Sequence, residues 1–157
     1  MTEKLLKGFT VFGSRVELYR SIDSTQKRAR DIFKKKKEEA LIMASSQTGG
    51  LGRRGKKWES PPGGLYLSVI IKDNPSSALP VSIKALLAAI EAFKNIENKS
   101  GAIKWKWPND LIFDGGKAGG ILSEKPENGW AIVGFGLNTG IGPGDLSPAV
   151  REIAAVC

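Results

Sequence analysis

Gln47-Thr48-Gly49-Gly50-Leu51-Gly52-Arg53-Arg54-Gly55-Lys56-Lys57-Trp58-Glu59-Ser60-Pro61-Pro62-Gly63-Gly64 is the stretch on which the fold class turns. Gly50 to Gly55 spells G-x-G-x-x-G, the pattern that opens the crossover helix of a dinucleotide-binding βαβ unit. That reading needs a helix to start at the glycines, with its N-terminus facing a pyrophosphate. The residues that follow, Lys56 to Pro62, form a poor helix and end in two prolines. A P-loop would need Gly-Lys-Ser/Thr after the glycines, and a protein-kinase loop would need a His-Arg-Asp segment elsewhere. The chain has neither, and contains no histidine. Residues 47–64 therefore read as a basic, glycine-rich loop, and the doubly wound α/β class is set aside.

Outward from that loop, strands mostly follow strands. Val16-Glu17-Leu18-Tyr19 alternates as a strand, and the five residues 40–44 form a short apolar run with the character of a buried one. Between them Asp23, Ser24 and Thr25 offer N-cap oxygens for a helix to about Lys37, with Ala29, Ile32 and Phe33 at core-facing spacing. After the loop, residues 65–71 alternate as a strand. Pro80 opens a helix whose apolar positions include Ile83, Leu86, Leu87, Ile90 and Phe93, with Gly101 just past its end. Residues 103–107, 111–113, 118–124 and 130–137 read as further strands, and Asp114-Gly115-Gly116 fits a hairpin turn. A short helix from about Ser147 closes the pattern. The expected fold is α+β: a largely antiparallel mixed sheet flanked by helices, in one domain over residues 1–157.

Composition removes most catalytic schemes. Without histidine, neither a Ser-His-Asp or Cys-His mechanism nor a His-metal site is available, and the single cysteine, Cys157, excludes an internal disulfide and a cysteine-rich zinc site. No apolar run reaches the ~18–20 residues of a membrane span, and the first ten residues do not read as a secretory signal, so a cytoplasmic location is expected. The net charge of +8 lies entirely in residues 1–60, where 15 Lys and Arg face 7 Asp and Glu. Such asymmetry points to an anionic partner: a nucleotide, nucleic acid or acidic protein.

Within the loop, glycines let backbone N–H groups approach an anion, while Arg53, Arg54, Lys56 and Lys57 add charge and Trp58 adds an aromatic face. A solvated basic loop has the same composition; the combination of glycine, cation and aromatic favours a nucleotide-phosphate clamp. Lys106-Trp107-Pro108-Asn109-Asp110 places a cation, an amide and a carboxylate at a strand-to-turn junction, though Asn-Asp after Pro is also ordinary turn chemistry. In Lys117-Ala118-Gly119-Gly120-Ile121-Leu122-Ser123-Glu124 a lysine precedes two glycines at a strand start, which suggests close approach by a ligand. Ser24-Thr25-Gln26 serves equally as a helix cap.

Together these segments resemble the catalytic domain of biotin protein ligases. The matching residues are Ser24-Thr25, the stretch from Gln47 to Ser68, KWPND at 106–110, KAGGILSE at 117–124 and GFGLN at 134–138. The resemblance implies the fold shared by class II aminoacyl-tRNA synthetases and biotin ligases. It also implies two steps at one site. The carboxylate of biotin attacks the α-phosphate of ATP, with Mg2+, to give biotinyl-AMP and pyrophosphate. A lysine of a biotin carboxyl carrier protein then takes the biotin and releases AMP. Preorganised cations suit that chemistry without histidine.

By the same resemblance, Ser24, Thr25, Gln26 and Gln47 face the biotin ureido ring, and Leu51, Gly52 and Arg53 belong to the loop that closes over biotin and phosphates. Arg53 and Lys117 are the catalytic candidates: Arg53 restrains the adenylate, and Lys117 contacts the biotin carboxylate and the α-phosphate. Arg54, Trp58, Asn109 and Asn138 fall on the nucleotide side, and Asp110 orients either a metal or the acceptor amine. No direct side-chain metal site is assigned. Leu51 and Lys56 depart from the family's G-R-G-R-R-G-R pattern, and Gln26 stands where Asn is frequent. The resemblance implies neither an N-terminal helix-turn-helix nor a C-terminal SH3-like barrel within this chain, and hence neither specific DNA binding nor a membrane role; a second copy of the chain is a further candidate partner. The rival readings are a lipoate or octanoyl ligase or transferase of the same fold, a non-transferring biotin-binding protein, and a nucleic-acid binder, the last unsupported by any groove-reading motif.

Overall fold

Ser24 starts the first helix: its backbone is extended (φ −157°, ψ 129°) and its Oγ accepts from the Lys27 amide at 3.4 Å. From there Ala29, Ile32 and Phe33 turn one stripe inward, all under 7% exposed, and Lys34 and Lys35 close the last turn, where cations suit the helix dipole. The computed structural model describes residues 5–11, 13–96 and 103–154. Its elements run β1 (Leu5–Val11), β2 (Ser14–Tyr19), α1 (Thr25–Lys35), β3 (Ala40–Ala44), β4 (Leu65–Lys72), α2 (Val81–Ile96), β5 (Lys104–Lys106), β6 (Asp110–Phe113), β7 (Gly116–Glu127), β8 (Trp130–Leu137) and α3 (Pro148–Arg151).

The strands form one eight-stranded sheet in the order β1-β2-β3-β4-β8-β7-β6-β5. Only β2 and β3 pair in parallel, joined by α1 as a parallel pair requires; the other six pairings are antiparallel. The expected α+β mixed sheet is therefore what forms. Asp114 (φ 47°) and Gly115 (φ 78°) both take the positive φ of a two-residue hairpin turn between β6 and β7.

Strand alternation puts the two long helices on opposite faces. Ile70 of β4 and Ile132 of β8 join the cluster under α1, whereas Val69 and Ile71 of β4 and Ala131 and Val133 of β8 join the one under α2. Burying each of the Val and Ile side chains contributes about 1.5–3 kcal/mol.

Several expectations shift. β1 has no counterpart in the sequence reading, because it is an edge strand whose described side chains are exposed on both faces and so carries no burial pattern. Leu87, one of the apolar positions of the α2 pattern, is 49% exposed; the buried positions are Val81, Leu86 and Ala89, which face the sheet chiefly at β7 and β8. Strand 103–107 shortens to Lys104–Lys106, and strand 118–124 lengthens to Gly116–Glu127. Gly101 and Cys157, and the burial of Phe93, lie outside the described residues. Among the described residues, no helix is long and apolar enough to cross a membrane.

Candidate functional site

On the α1 face the cross-strand register brings Gly120 of β7 opposite Gly136 of β8, and Leu122 opposite Gly134. Ser68 of β4 sits opposite Gly134 and Tyr66 opposite Gly136. One step further along the same face, Ile70, Ile132 and Glu124 continue the row. The sheet thus gives up its large side chains at three glycines, and a cavity of about 570 Å³ opens there, within the range of small-molecule sites.

Twelve of the thirteen residues singled out from the sequence line it: Ser24, Thr25, Gln26, Gln47, Leu51, Gly52, Arg53, Arg54, Trp58, Asn109, Asp110 and Lys117. Lys56, Lys57, Leu67, Ser68 and Trp107 line it as well. The thirteenth, Asn138, is 4% exposed and lies behind the wall, where its Nδ2 donates to the Lys117 carbonyl at 3.2 Å. The Lys117 amide in turn donates to the Ile153 carbonyl at 2.7 Å, so both backbone polar groups of that lysine are held.

The lining divides into two hydrogen-bonded sets. The first is neutral. Gln47 Oε1 accepts from the Thr25 amide at 2.8 Å and from Thr25 Oγ1 at 3.1 Å, and Gln47 Nε2 donates to Ser60 Oγ at 2.9 Å. Ser68 Oγ lies 3.0 Å from Thr25 Oγ1 and 2.9 Å from Gln26 Oε1. Ser24 combines both of its readings, capping α1 with its oxygen while lining the cavity.

The second set is cationic. Arg53, Arg54, Lys56, Lys57 and Lys117 line the cavity against one carboxylate, Asp110. Lys117 Nζ is 2.8 Å from Asp110 Oδ1 and 5.4 Å from the centre of the Trp58 ring, a cation–π contact. Arg53 donates to Asn109 Oδ1 at 2.9 Å, tying the glycine-rich loop to the turn between β5 and β6, in which the Trp107–Pro108 bond is cis. Arg54 sits in the left-handed region (φ 56°, ψ 35°), where an L-residue is disfavoured by about 1–2 kcal/mol. At the loop's far end Glu59 accepts from the amide and hydroxyl of Ser147, the residue that starts α3, and these bonds hold its carboxyl below the usual range.

Two expectations are refined. The two glycines at the start of β7 divide their roles: a Cβ on Gly119 would come within 2.4 Å of the Leu137 side chain, whereas Gly120 lines the cavity. The Trp58 ring packs against the sheet at Gly136, where a Cβ would sit 2.5 Å from its Nε1; that nitrogen is buried and has no acceptor among the described residues. The sequence reading passed over Ser68 and Trp107 as site residues. Ser68 carried a signal, as the polar residue on the inward parity of an otherwise apolar strand, but which parity faces a cavity is decided by the glycines of a different strand. Trp107, 73% exposed at the mouth, carried none.

Among the described residues no three Asp, Glu, His or Cys side chains converge as metal ligands, and Asp110 is already paired with Lys117. The lining therefore does not fit a protein-held magnesium ion. In a nucleotide reaction magnesium would arrive with the triphosphate, as part of the substrate.

Comparison with known proteins agrees with this geometry. Residues 18–135 match the model of the biotin/lipoate A/B protein ligase family. The chain is 33% identical over 152 residues to the bifunctional ligase/repressor BirA of Bacillus subtilis, covering 92% of this chain and 46% of that protein. It is 31% identical to a biotin–[acetyl-CoA-carboxylase] ligase of Paracoccus denitrificans, covering 85% of this chain and 59% of the other. The biotin protein ligase of Aquifex aeolicus, solved in complex with biotin and ATP, superposes with a TM-score of 0.72 at 30% identity, over 90% of this chain and 58% of that one. A lipoate-protein ligase A shares the fold at a TM-score of 0.62 and 14% identity. The chain spans about half the length of the relatives it matches.

Proposed function

The chain belongs to the biotin/lipoate A/B protein ligase family, and from that premise we propose that it is a biotin protein ligase catalytic domain, which activates biotin with MgATP and transfers it to a lysine of a biotin carboxyl carrier protein. The observation that carries this reading is the division of one cavity into a neutral, hydrogen-bonding floor and a cationic wall. Biotin is a neutral cyclic urea with a carboxylate tail, and its activation brings that carboxylate onto a polyphosphate. A floor of Thr25, Gln26, Gln47 and Ser68 suits the urea; Lys117 and the cations of residues 53–57 suit the anions.

In the first step a carboxylate oxygen forms a bond to the α-phosphorus, the bond to the pyrophosphate oxygen breaks, and pyrophosphate leaves. Lys117, held by Asp110 and by its two backbone contacts, offsets charge where the two anions meet. Arg53, with Leu51 and Gly52, closes over the mixed anhydride and excludes the water that would hydrolyse it. Arg54, Trp58 and Asn109 take the nucleotide side, and Ser24 the urea side. In the second step the acceptor amine attacks the acyl carbon, AMP leaves, and the amine's proton is lost to solvent. Magnesium comes with ATP as substrate. The relatives named biotin–[acetyl-CoA-carboxylase] ligases make a carboxylase carrier domain the partner of choice.

The decisive experiment mixes the chain with biotin, MgATP and a biotin carboxyl carrier domain. A mass shift on the carrier of one biotin, together with biotin-dependent ATP–pyrophosphate exchange, is the expected result. Exchange driven by lipoate or octanoate and not by biotin would transfer the chain to the other branch of its family; exchange without carrier labelling would make it a holder of the adenylate.

A further inference from the structure

Glu124 and Arg30 have no role in the reaction as derived above, yet they back directly onto the cavity floor. Arg30 grips the Glu124 carboxylate with two bonds, Nε to Oε2 and Nη2 to Oε1, both 2.7 Å. Gln26 Nε2 donates to Glu124 Oε1 at 2.9 Å. Burial pushes the Glu124 carboxyl up, but the bonds from Arg30 and Gln26 outweigh it and hold it below the ordinary carboxylate range. An ionised carboxylate only accepts, so only the NH₂ end of the Gln26 amide can face it. The carbonyl end must then face Ser68, and it lies over Gly134, where a Cβ would come within 2.6 Å of Oε1. The glycine at 134 makes room for this amide.

That orientation has a consequence in protons. Three oxygen–oxygen contacts connect the floor: Thr25 Oγ1 to Gln47 Oε1, Ser68 Oγ to Thr25 Oγ1, and Ser68 Oγ to Gln26 Oε1. Thr25 and Ser68 own one hydroxyl proton each. Two protons cannot serve three contacts, so in every arrangement one oxygen of the floor is left with an open lone pair. The floor is an acceptor set short of one donor, and a ligand N–H supplies it.

We infer that the Arg30–Glu124 pair sets the hydrogen-bond polarity of the cavity floor, by locking the Gln26 amide with its carbonyl toward Ser68, and thereby selects ligands that bring ring N–H donors. Glu124 and Arg30 are positioning residues acting through Gln26. The inference rests on the biotin reading, since the cyclic urea carries two such N–H groups. Replacing the carboxylate by an amide removes the lock, because Gln at 124 can meet the Gln26 amide with either end. A turned Gln26 would point Nε2 at Ser68, fill the missing donor from within, and set N–H against N–H when the ligand arrives.

The test is steady-state ATP–pyrophosphate exchange by the full chain, with biotin and ATP varied separately. For Glu124→Gln the KM for biotin rises about tenfold or more, while kcat and the KM for ATP stay within about twofold of the parent chain. Arg30→Gln leaves the carboxylate but loosens it, and shifts the KM for biotin in the same direction by about threefold. A KM for biotin within about twofold of the parent in both variants overturns the inference. So does a joint fall in kcat, ATP affinity and melting temperature, which would assign the pair to the fold alone. If Glu124→Gln fails to fold, Arg30→Gln, a change at a partly exposed helix position, decides by the same criterion. Absence of biotin-dependent exchange in the parent chain would overturn the functional reading itself, and this inference with it, before any variant is compared.

Discussion

Residues 27–37 and 53–57 are the two most basic stretches of the chain, and the fold treats their charges in opposite ways. Of the seven cations in the first, five have carboxylate partners: Lys27 with Asp23 (2.7 Å), Arg28 with Glu17 (2.8 Å), Arg30 with Glu124 (2.7 Å), Lys36 with Glu38 (2.7 Å) and Lys37 with Glu127 (2.5 Å). Five of the seven thus meet a counter-charge from the chain itself, although Lys27, Lys36 and Lys37 remain on the solvated side. Among the described residues, none of the four cations in 53–57 has an ion pair, and Arg53 meets only the neutral Asn109 amide. A run of charge therefore acquires a meaning only through its neutralisation. Where the fold supplies the counter-charge, the cation serves structure. Where it does not and the cations line a cavity, as Arg53, Arg54, Lys56 and Lys57 do, the counter-charge is left for a ligand to bring.

The largest effect should come from Lys117→Ala, which removes the cation that faces the 53–57 loop across the same cavity and is itself held by Asp110. Biotin-dependent pyrophosphate exchange is expected to fall by about 10²–10³, the ~3–4 kcal/mol of a lost electrostatic stabiliser, with little change in melting temperature. Near-normal exchange would remove Lys117 from the reaction.

Arg28→Ala tests the other region and should do the reverse. Glu17, 2% exposed, accepts from Arg28, Arg15 and Tyr19, and losing the bidentate partner is expected to lower stability by about 3 kcal/mol, with activity per folded molecule unchanged. A loss of activity without a loss of stability would erase the contrast drawn above.

The same carboxylate gives that contrast a pH signature. Burial pushes Glu17 up, but the bonds from Arg28, Tyr19 and Arg15 outweigh it and bring its pKa down from 4.5 to about 2. A depressed folded-state value means a contribution fully present above about pH 5 and lost as the pH falls toward 2. Its size is about 3 kcal/mol. Melting temperature followed between pH 7 and pH 2 should show that loss, and Glu17→Gln should flatten this part of the curve. A parallel slope in the variant would place the acid sensitivity elsewhere.

Smaller effects should come from the loop. Arg53→Gly removes the tie to Asn109 and is expected to let adenylate escape, seen as biotin on bystander lysines of an added protein, with exchange changed only several-fold, about 1 kcal/mol. Lys34→Ala and Lys35→Ala, at the two cations of residues 27–37 that form no ion pair among the described residues, should change neither stability nor exchange beyond about 0.5 kcal/mol.

Much of this was legible along the chain. The α1 stripe of Ala29, Ile32 and Phe33, the strand at 40–44 and the hairpin at Asp114-Gly115 follow from local periodicity and turn chemistry, which nearest neighbours decide. The candidate site residues were legible through segment resemblance and cation–glycine–aromatic composition. Ser68, Glu124 and Arg30 were not, because their roles come from cross-strand register: Ser68 meets Gly134 across β4 and β8, and Glu124 reaches Gln26 across 98 positions of sequence. The absence of histidine and the glycine-rich loop, read alone, already excluded most catalytic schemes and the dinucleotide fold. Which charges of the basic half are neutralised, and which way the Gln26 amide points, were decided only when the sheet closed, because counter-charges and hydrogen-bond partners distant along the chain become neighbours only in three dimensions.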